Sequence, residues 1–207
     1  MGILEKLRPL PRWKHSDPLV RLAAVVELGE SDGDALLELA RDDRDARVRR
    51  VAVSRLDAVA PLAEIARTDP DEEVRAEAIR GLAGVGAESG VARASEGITA
   101  LVELNRTKEL VAIARDSRNA DVRALVVDRV SDAKALGAIS RHAADGATRL
   151  RALARLTEAE DLLNVALKSE HTDAAVAALE RIVDTEALTT IGQRARNRVA
   201  ARRARTK

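Results

Sequence analysis

Apolar residues recur along this chain at the spacing of a helix. In residues 69–82, which read DPDEEVRAEAIRGL, the apolar positions are Val74, Ala78, Ile79 and Leu82. They stand at i, i+4, i+5 and i+8, which places them on one face of a helix, whereas a half-buried strand would alternate apolar and polar residues. The acidic residues of the stretch lie toward the other side. The pattern therefore predicts an amphipathic helix.

Nearly the same stretch is repeated along the chain. DPLVRLAAVVEL stands at 17–28, DARVRRVAVSRL at 45–56 and NADVRALVVDRV at 119–130. The valine of the Val-Arg pair marks the register, with weaker copies elsewhere and a degraded copy at 94–104. The eight marker positions are Val20, Val48, Val74, Glu96, Val122, Thr148, Ala174 and Val199. A period of about 26 residues is typical of a repeat architecture.

Each copy is interpreted as a pair of helices, because a shorter apolar stretch such as PLAEIAR at 61–67 follows the first one. Side-chain oxygens near the predicted helix starts can accept the unpaired N–H groups of a first turn. The predicted caps are Asp17, Asp45, Asp71 and Asp145 for first helices, and Asp32, Asp57, Thr107, Asp132 and Thr157 for second helices. Neither helix can bury its apolar stripe alone, so the pairs are predicted to stack as an α-solenoid.

The pattern D-x-x-V-R-x-x-A-x-x-x-L, followed by a helix ending in I-A-R, resembles HEAT repeats in their short bacterial form over residues 16–207. This resemblance implies an all-α fold, a right-handed α-solenoid of about eight two-helix repeats, each of roughly 26 residues. RWKHSDPLVRLAAVVEL together with ARNRVAARRARTK is also similar to the N-terminal HEAT-like region of bacterial proteins of poorly defined function. In those proteins a charged coiled coil follows, which would make this chain the front portion of a longer one.

Two segments stand out from the single solenoid predicted for residues 16–207. Residues 1–15 are predicted to lead in and cap the stack, with Trp13 covering its exposed end; the alternative is that Trp13 anchors a partner. The glycine-rich stretch 84–97 has four glycines and no I-A-R helix. Each glycine disfavours a helix by about 1 kcal/mol relative to alanine, so an irregular half-repeat is predicted, serving as a tolerated loop, a hinge or a contact loop.

Composition narrows the possible classes of protein. Hydrophobic residues make up 46% and charged residues 33%, which favours a folded soluble chain whose core is built from Leu, Val, Ile and Ala. The absence of Cys excludes disulfides, thiolate metal sites and a Cys nucleophile. MGILEKLRPLPRWK lacks the apolar run of a signal peptide, and no stretch has the length of a membrane span. We therefore expect a cytoplasmic protein without membrane contact, and heavy Ala and Arg usage indicates a bacterial one.

The search for chemistry predicts no catalytic site, metal or cofactor. The three histidines lie in different units without ligand spacing, and the acidic links RDDRDA and TDPDEE lack the glycine and terminal Glu of an EF-hand. HEAT-like folds include DNA glycosylases, but base recognition of that kind uses aromatic platforms, and this chain has no Phe or Tyr and a single Trp near its start. Phycobilisome-type chromophore lyases share only the generic repeat. We expect a non-enzymatic scaffold with no small-molecule substrate.

Two sets of arginines are predicted to have different roles. Those after the marker valines are predicted to link neighbouring layers by pairing with an Asp or a carbonyl: Arg21, Arg49, Arg75 and Arg123. Those at the ends of second helices form a row, which the resemblance places on the concave surface: Arg41, Arg67, Arg115 and Arg141. Arg41 and Arg67 have a Glu at i−3 and are predicted to pair within their own helices.

The C-terminal half of this row is predicted to be basic. Arg115 and Arg141 have Ala at i−3, Lys168 and Arg194 lie one position beyond the equivalent sites, and no acid follows Glu186. Unpaired cations attract anions. The predicted partner-binding residues are Arg115, Arg141, Lys168 and Arg194, with Arg202 and Arg203 at the edge. The expected partner is a protein with an acidic segment, and the alternative is nucleic acid.

Overall fold

The computed structural model describes residues 10–88 and 90–207. Within these residues all regular secondary structure is helical, and fourteen α-helices follow one another along the chain. This confirms the predicted all-α class. The chain divides into two compact units, Met1–Gly84 and Val85–Lys207, and the boundary lies inside one helix.

Among the described residues of the first unit, the first element is a 3-10 helix, Arg12–Lys14, that packs against the first α-helix. The first α-helix also packs against the third, and the second packs against the third. Leu62 is fully buried, and an ideal Cβ on Gly81 would lie 3.1 Å from its side chain, so the glycine permits close packing there. The helices are α1 Pro18–Glu27, α2 Gly33–Asp42, α3 Ala46–Val53, α4 Val59–Thr68 and α5 Glu72–Ala87, which ends in the second unit.

The second unit consists of two layers of helices. Its helices are α6 Val91–Glu103, α7 Thr107–Asp116, α8 Ala120–Arg129, α9 Ala133–His142, α10 Gly146–Ala154, α11 Ala159–Lys168, α12 Thr172–Glu180, α13 Thr185–Arg194 and α14 Arg198–Ala204. In the first layer α6, α8, α10, α12 and α14 contact one another in succession; in the second layer α7, α9, α11 and α13 do the same. The core of this unit is aliphatic, and its fully buried side chains include Ile139, Leu156, Leu179 and Ile191.

The helix starts in this unit are evenly spaced. Helices α8, α10, α12 and α14 begin at Ala120, Gly146, Thr172 and Arg198, a constant step, and α7, α9, α11 and α13 show the same step.

Carboxylates and amides at the N-caps explain several helix starts in both units, because they accept N–H groups of the first turn. The predicted caps Asp17, Asp45, Asp71, Asp132 and Asp145 are confirmed, and Asn119, Asp184 and Asn197 act in the same way.

Four predicted second-helix caps are wrong. Asp32 stands at an N-cap but accepts the N–H of Gly29 instead of one from the helix, and Thr107 is the first residue of α7. Ala58 and Glu158 occupy the N-caps of α4 and α11, one residue after the predicted Asp57 and Thr157. Three of these helices have Ala58, Arg106 or Glu158 at the N-cap, and the fourth has an Asp32 that bonds outside the helix, so a polar side chain near the start did not locate the cap.

Most of the predicted marker residues are buried at the same position of their helices, and two of them are not. Val48, Val74, Val122, Thr148 and Ala174 are all buried at the third residue after the cap. Glu96 is exposed on α6, so its assignment as a marker is wrong. Val199 is 44% exposed, whereas Ala200 is fully buried. The last marker therefore lies one residue later, because Asn197 caps α14.

The predicted loss of helix across 84–97 is wrong. Gly84 and Gly86 lie within α5, Gly97 is buried within α6, and Gly90 is the N-cap of α6. An ideal Cβ on Gly86 would lie 3.0 Å from Ile113 Cδ1, so the missing side chain lets α5 approach α7 closely. Close packing at the buried Gly86 offsets the low helix propensity of glycine there, whereas Gly84 is exposed within α5.

Candidate functional site

Three of the four arginines after the marker valines, Arg21, Arg49 and Arg123, form a ladder of buried or half-buried ion pairs with aspartates further along the chain. In the first unit Arg21 Nε and Nη2 donate to the two carboxylate oxygens of Asp43 at 2.6 and 2.8 Å. Arg49 binds Asp69 in the same way at 2.8 and 2.9 Å. Each arginine also donates from Nη1 to a carbonyl that precedes its own helix. The predicted link between one helix pair and the next is confirmed for Arg21 and Arg49.

The ladder continues in the second unit. Arg123 Nε donates to Thr148 Oγ1 at 3.0 Å, and Arg149 binds Asp173 through Nε and Nη2. Among the described residues Arg75, in the first unit, donates only to the carbonyls of Asp69 and Pro70, which precede its own helix, so the structure shows no predicted link to the following repeat for this arginine. Arg149 was missed from the sequence because Thr148 replaces the marker valine, although Arg149 follows Arg123 at the repeat period.

Charge and burial act in opposite directions on the ladder carboxylates. Burial by itself would raise the pKa of Asp43, but hydrogen bonds from Arg21 and from the N–H of Asp45 lower it below its usual value. The hydrogen bonds from Arg149 likewise lower the pKa of Asp173, against the effect of its partial burial. Both groups are therefore held as carboxylates that stabilise the packed helices.

A second ladder of cations was not predicted. The side chain of Arg55 donates to carbonyls at the C-terminal end of α1, and those of Arg155, Arg181 and Lys207 donate to carbonyls at the C-terminal end of the preceding first-layer helix. For example, Arg181 Nη1 donates to Leu153 O at 2.8 Å. Cations are favourable there because the last carbonyls lack helical partners and carry partial negative charge. Part of the basic tail is thus used internally. The equal spacing of the last three residues could have revealed it.

Arg41, a second-helix arginine of the first unit, is paired across helices. Arg41 on α2 pairs with Glu64 on α4, the next second helix along the chain. Glu38, predicted as the i−3 partner of Arg41, lies 3.4 Å from Lys14 instead. The prediction of a pair within α2 is therefore wrong. Glu64, the sixth residue of α4, lies opposite Arg41, the ninth residue of α2.

The second unit places four of the predicted binding residues on one layer. Arg115, Arg141, Lys168 and Arg194 lie at the ends of α7, α9, α11 and α13, which contact one another in succession. Arg115 is exposed and pairs with its neighbour Asp116 at 2.6 Å. Lys168 and Arg194 are exposed, with no hydrogen bond or ion pair to any residue the structure describes. We name the four residues the basic row.

Arg141 differs from the rest of the basic row. It is half-buried, and Nη1 donates to Asn164 Oδ1 on α11 at 2.9 Å. Burial lowers the pKa of Arg141. Burial, and then the charge of Arg141, also lower the pKa of the adjacent His142, whereas Glu170 acts in the opposite direction.

The remaining predicted residues lie on the other layer. Arg202 and Arg203 are exposed on α14. Arg203 lies 3.8 Å from Glu180, whereas Arg202 has no partner within the described part of the chain. The two arginines therefore do not extend the line of second-layer helices, although α14 packs against α13.

A cleft of about 710 Å³ lies at the start of the first unit. Lys14 Nζ lies 4.3 Å above the centre of the Trp13 ring and 3.4 Å from Glu38, so a cation of the chain itself occupies the ring face. Trp13 is half-buried in the 3-10 helix that packs against α1, where the sequence predicts a cap.

Across residues 10–88 and 90–207, no group of three or more His, Asp or Glu side chains is arranged to hold a metal ion. No helix in this part of the chain combines the length and apolar character needed to cross a membrane. Comparisons of the sequence and fold with protein-family models, with curated proteins and with solved structures found no match.

Proposed function

We propose that this chain is a non-enzymatic protein-interaction scaffold of the bacterial cytoplasm. In this proposal residues 16–207 form one right-handed α-solenoid of about eight two-helix HEAT-like repeats. The regular step of the helix starts and the successive contacts within each layer of the second unit support it. Such stacks offer an extended surface on which a partner can lie.

The basic row is the proposed binding site for the partner. Its four cations stand at the ends of four consecutive second-layer helices, and two of them lack partners among the described residues. Uncompensated cations on neighbouring helices attract a chain with several negative charges. The proposed partner is therefore a protein with an acidic segment that crosses α7, α9, α11 and α13.

Affinity capture from a nuclease-treated native cell extract tests this function. The immobilised proteins would be the wild type, the double variant Arg115→Glu/Arg141→Glu and the control Arg41→Glu. Proteins retained by the wild type and the control but lost from the double variant would support the scaffold. The same proteins retained equally by all three would show that the basic row does not bind them.

A nucleic-acid partner is the second candidate, and one observation favours it. Arg194 on α13 and Arg198 and Arg202 on the adjacent α14 are exposed and have no ion pair with any described residue. Duplex binding would weaken with salt at a log–log slope of about −0.9 for each phosphate neutralised. Measuring duplex affinity at several salt concentrations, with Arg198→Glu/Arg202→Glu beside the wild type, separates this candidate from the scaffold.

A further inference from the structure

One edge of the Arg141 guanidinium group makes no hydrogen bond to any residue that the structure describes. The one hydrogen bond of the group runs from Nη1 to Asn164 Oδ1, which leaves Nε and Nη2 without a partner among the residues described. An ideal Cβ on Gly137 would lie 3.5 Å from Nη1, so the group lies against the bare backbone of α9. A half-buried charge without a counter-ion costs free energy that a binding carboxylate would offset.

Elsewhere in the chain the same edge binds carboxylates. In Arg21, Arg49, Arg115, Arg149 and Arg151, Nε and Nη2 donate to the oxygens of one aspartate. This two-point geometry suits a carboxylate because the planar guanidinium presents two parallel N–H groups.

Asn164 is the reason that Arg141 lacks an internal carboxylate. Arg41 and Arg141 are each the ninth residue of a second helix, and the sixth residue of the next second helix is Glu64 in one case and Asn164 in the other. Both later residues accept a hydrogen bond from their arginine. Glutamate neutralises the guanidinium, whereas the neutral amide orients it without neutralising it.

We propose that Arg141 is the anchor of the basic row and that its Nε–Nη2 edge binds an Asp or Glu carboxylate of the partner's acidic segment. Asn164 is a positioning residue that holds Nη1, and Arg115 and Lys168 on the flanking helices bind the neighbouring charges of the same segment. This inference rests on the proposed scaffold function and names the chemistry that the scaffold recognises.

The test is a fluorescence-anisotropy titration of the full chain with a labelled short oligoglutamate peptide. Asn164→Asp supplies an internal carboxylate for Arg141 with almost no change of shape, and Arg141→Gln removes the anchor. We expect each variant to weaken peptide binding about tenfold or more. Gln193→Glu on α13 introduces the same change in net charge away from Arg141 and should weaken binding much less. Arg41→Gln should leave it unchanged. Circular dichroism checks that each variant is folded.

The outcomes separate the inference from the function on which it rests. Peptide binding that is insensitive to both Asn164→Asp and Arg141→Gln would overturn the anchor while leaving an acidic-segment scaffold in place. An equal loss for Gln193→Glu would show a diffuse charge effect and would also overturn the anchor. A wild type that binds a duplex oligonucleotide but not the peptide would overturn the proposed acidic protein partner together with the anchor.

Discussion

Arg49 on α3 and Arg41 on α2 are close in sequence, yet their surroundings differ. The Arg49 side chain is 9% exposed and the Asp69 side chain 4%, and two hydrogen bonds join them. The Arg41 side chain is 38% exposed and faces a Glu64 side chain that is 53% exposed. In this comparison the first-helix arginine forms a buried link to the segment that follows the next helix, whereas the second-helix arginine lies at the surface.

The position of the next carboxylate decides how each surface arginine is used. Arg41 meets Glu64 on the following second helix, whereas Arg115 has Ala138 at the corresponding position and turns to Asp116 of its own helix. Arg141 meets Asn164. A side chain of the next second helix thus neutralises Arg41, a residue of its own helix neutralises Arg115, and Arg141 meets a neutral amide.

The largest expected effect comes from breaking the buried pair. Arg49→Met leaves the Asp69 carboxylate buried without its partner, so we expect the free energy of unfolding to fall by about 3–5 kcal/mol. Arg41→Met on the surface should change it by less than about 1 kcal/mol. Urea denaturation followed by circular dichroism measures both. Equal effects of the two substitutions would contradict the distinction between the two kinds of helix.

A smaller effect is expected where α5 approaches the second-layer helix α7. Gly86→Ala places a methyl group 3.0 Å from Ile113 Cδ1, and such overpacking should cost about 1–3 kcal/mol. Gly84→Ala is the matched control, since it lies in the same helix and an added Cβ meets nothing within 4 Å. It should stabilise the helix by about 0.5–1 kcal/mol. Thermal unfolding of the two variants would be compared with that of the wild type.

Acid should weaken the ladder. The folded-state pKa values of Asp43 and Asp173 are lowered below the ordinary value of 3.8. Their contribution to stability is therefore fully present above that value and is lost as the pH falls through the lower folded-state values. We expect stability measured by urea denaturation to decrease below about pH 4. Asp173→Asn should be less stable at neutral pH and should show a weaker dependence in that acid range. An unchanged acid dependence would remove Asp173 from this role.

The smallest effect is expected at the surface pair of the first unit. A double-mutant cycle with Arg41→Gln and Glu64→Gln should give a coupling energy of about 0–1 kcal/mol, because exposed ion pairs are weakened by water and salt. Raising the salt concentration should reduce it further. A coupling energy as large as that of Arg49 with Asp69 would mean that second helices are also joined by their arginines.

Much of the local structure could be predicted from the sequence because it depends on neighbours within one or two turns. The apolar spacing of Val74, Ala78, Ile79 and Leu82 predicted a helix, and the aspartates at 17, 45, 71 and 145 predicted where first helices start. The role of Arg49 in linking one repeat to the next was predicted because an arginine recurs directly after the marker valine. These inferences needed helix geometry and a repeated pattern, and no knowledge of how the helices pack.

Only the tertiary structure decided the contacts between residues of successive repeats. Arg41 pairs with Glu64 instead of Glu38, and Arg181 donates to Leu153 O, because packing brings neighbouring helices within reach. Gly86 remains helical because α7 fills the space beside it. Whether an arginine is neutralised depends on which side chain the adjacent helix places opposite it. The sequence separated Arg41 from Arg141 by their i−3 residues, but the residues that separate them in the structure, Glu64 and Asn164, lie on the adjacent second helices.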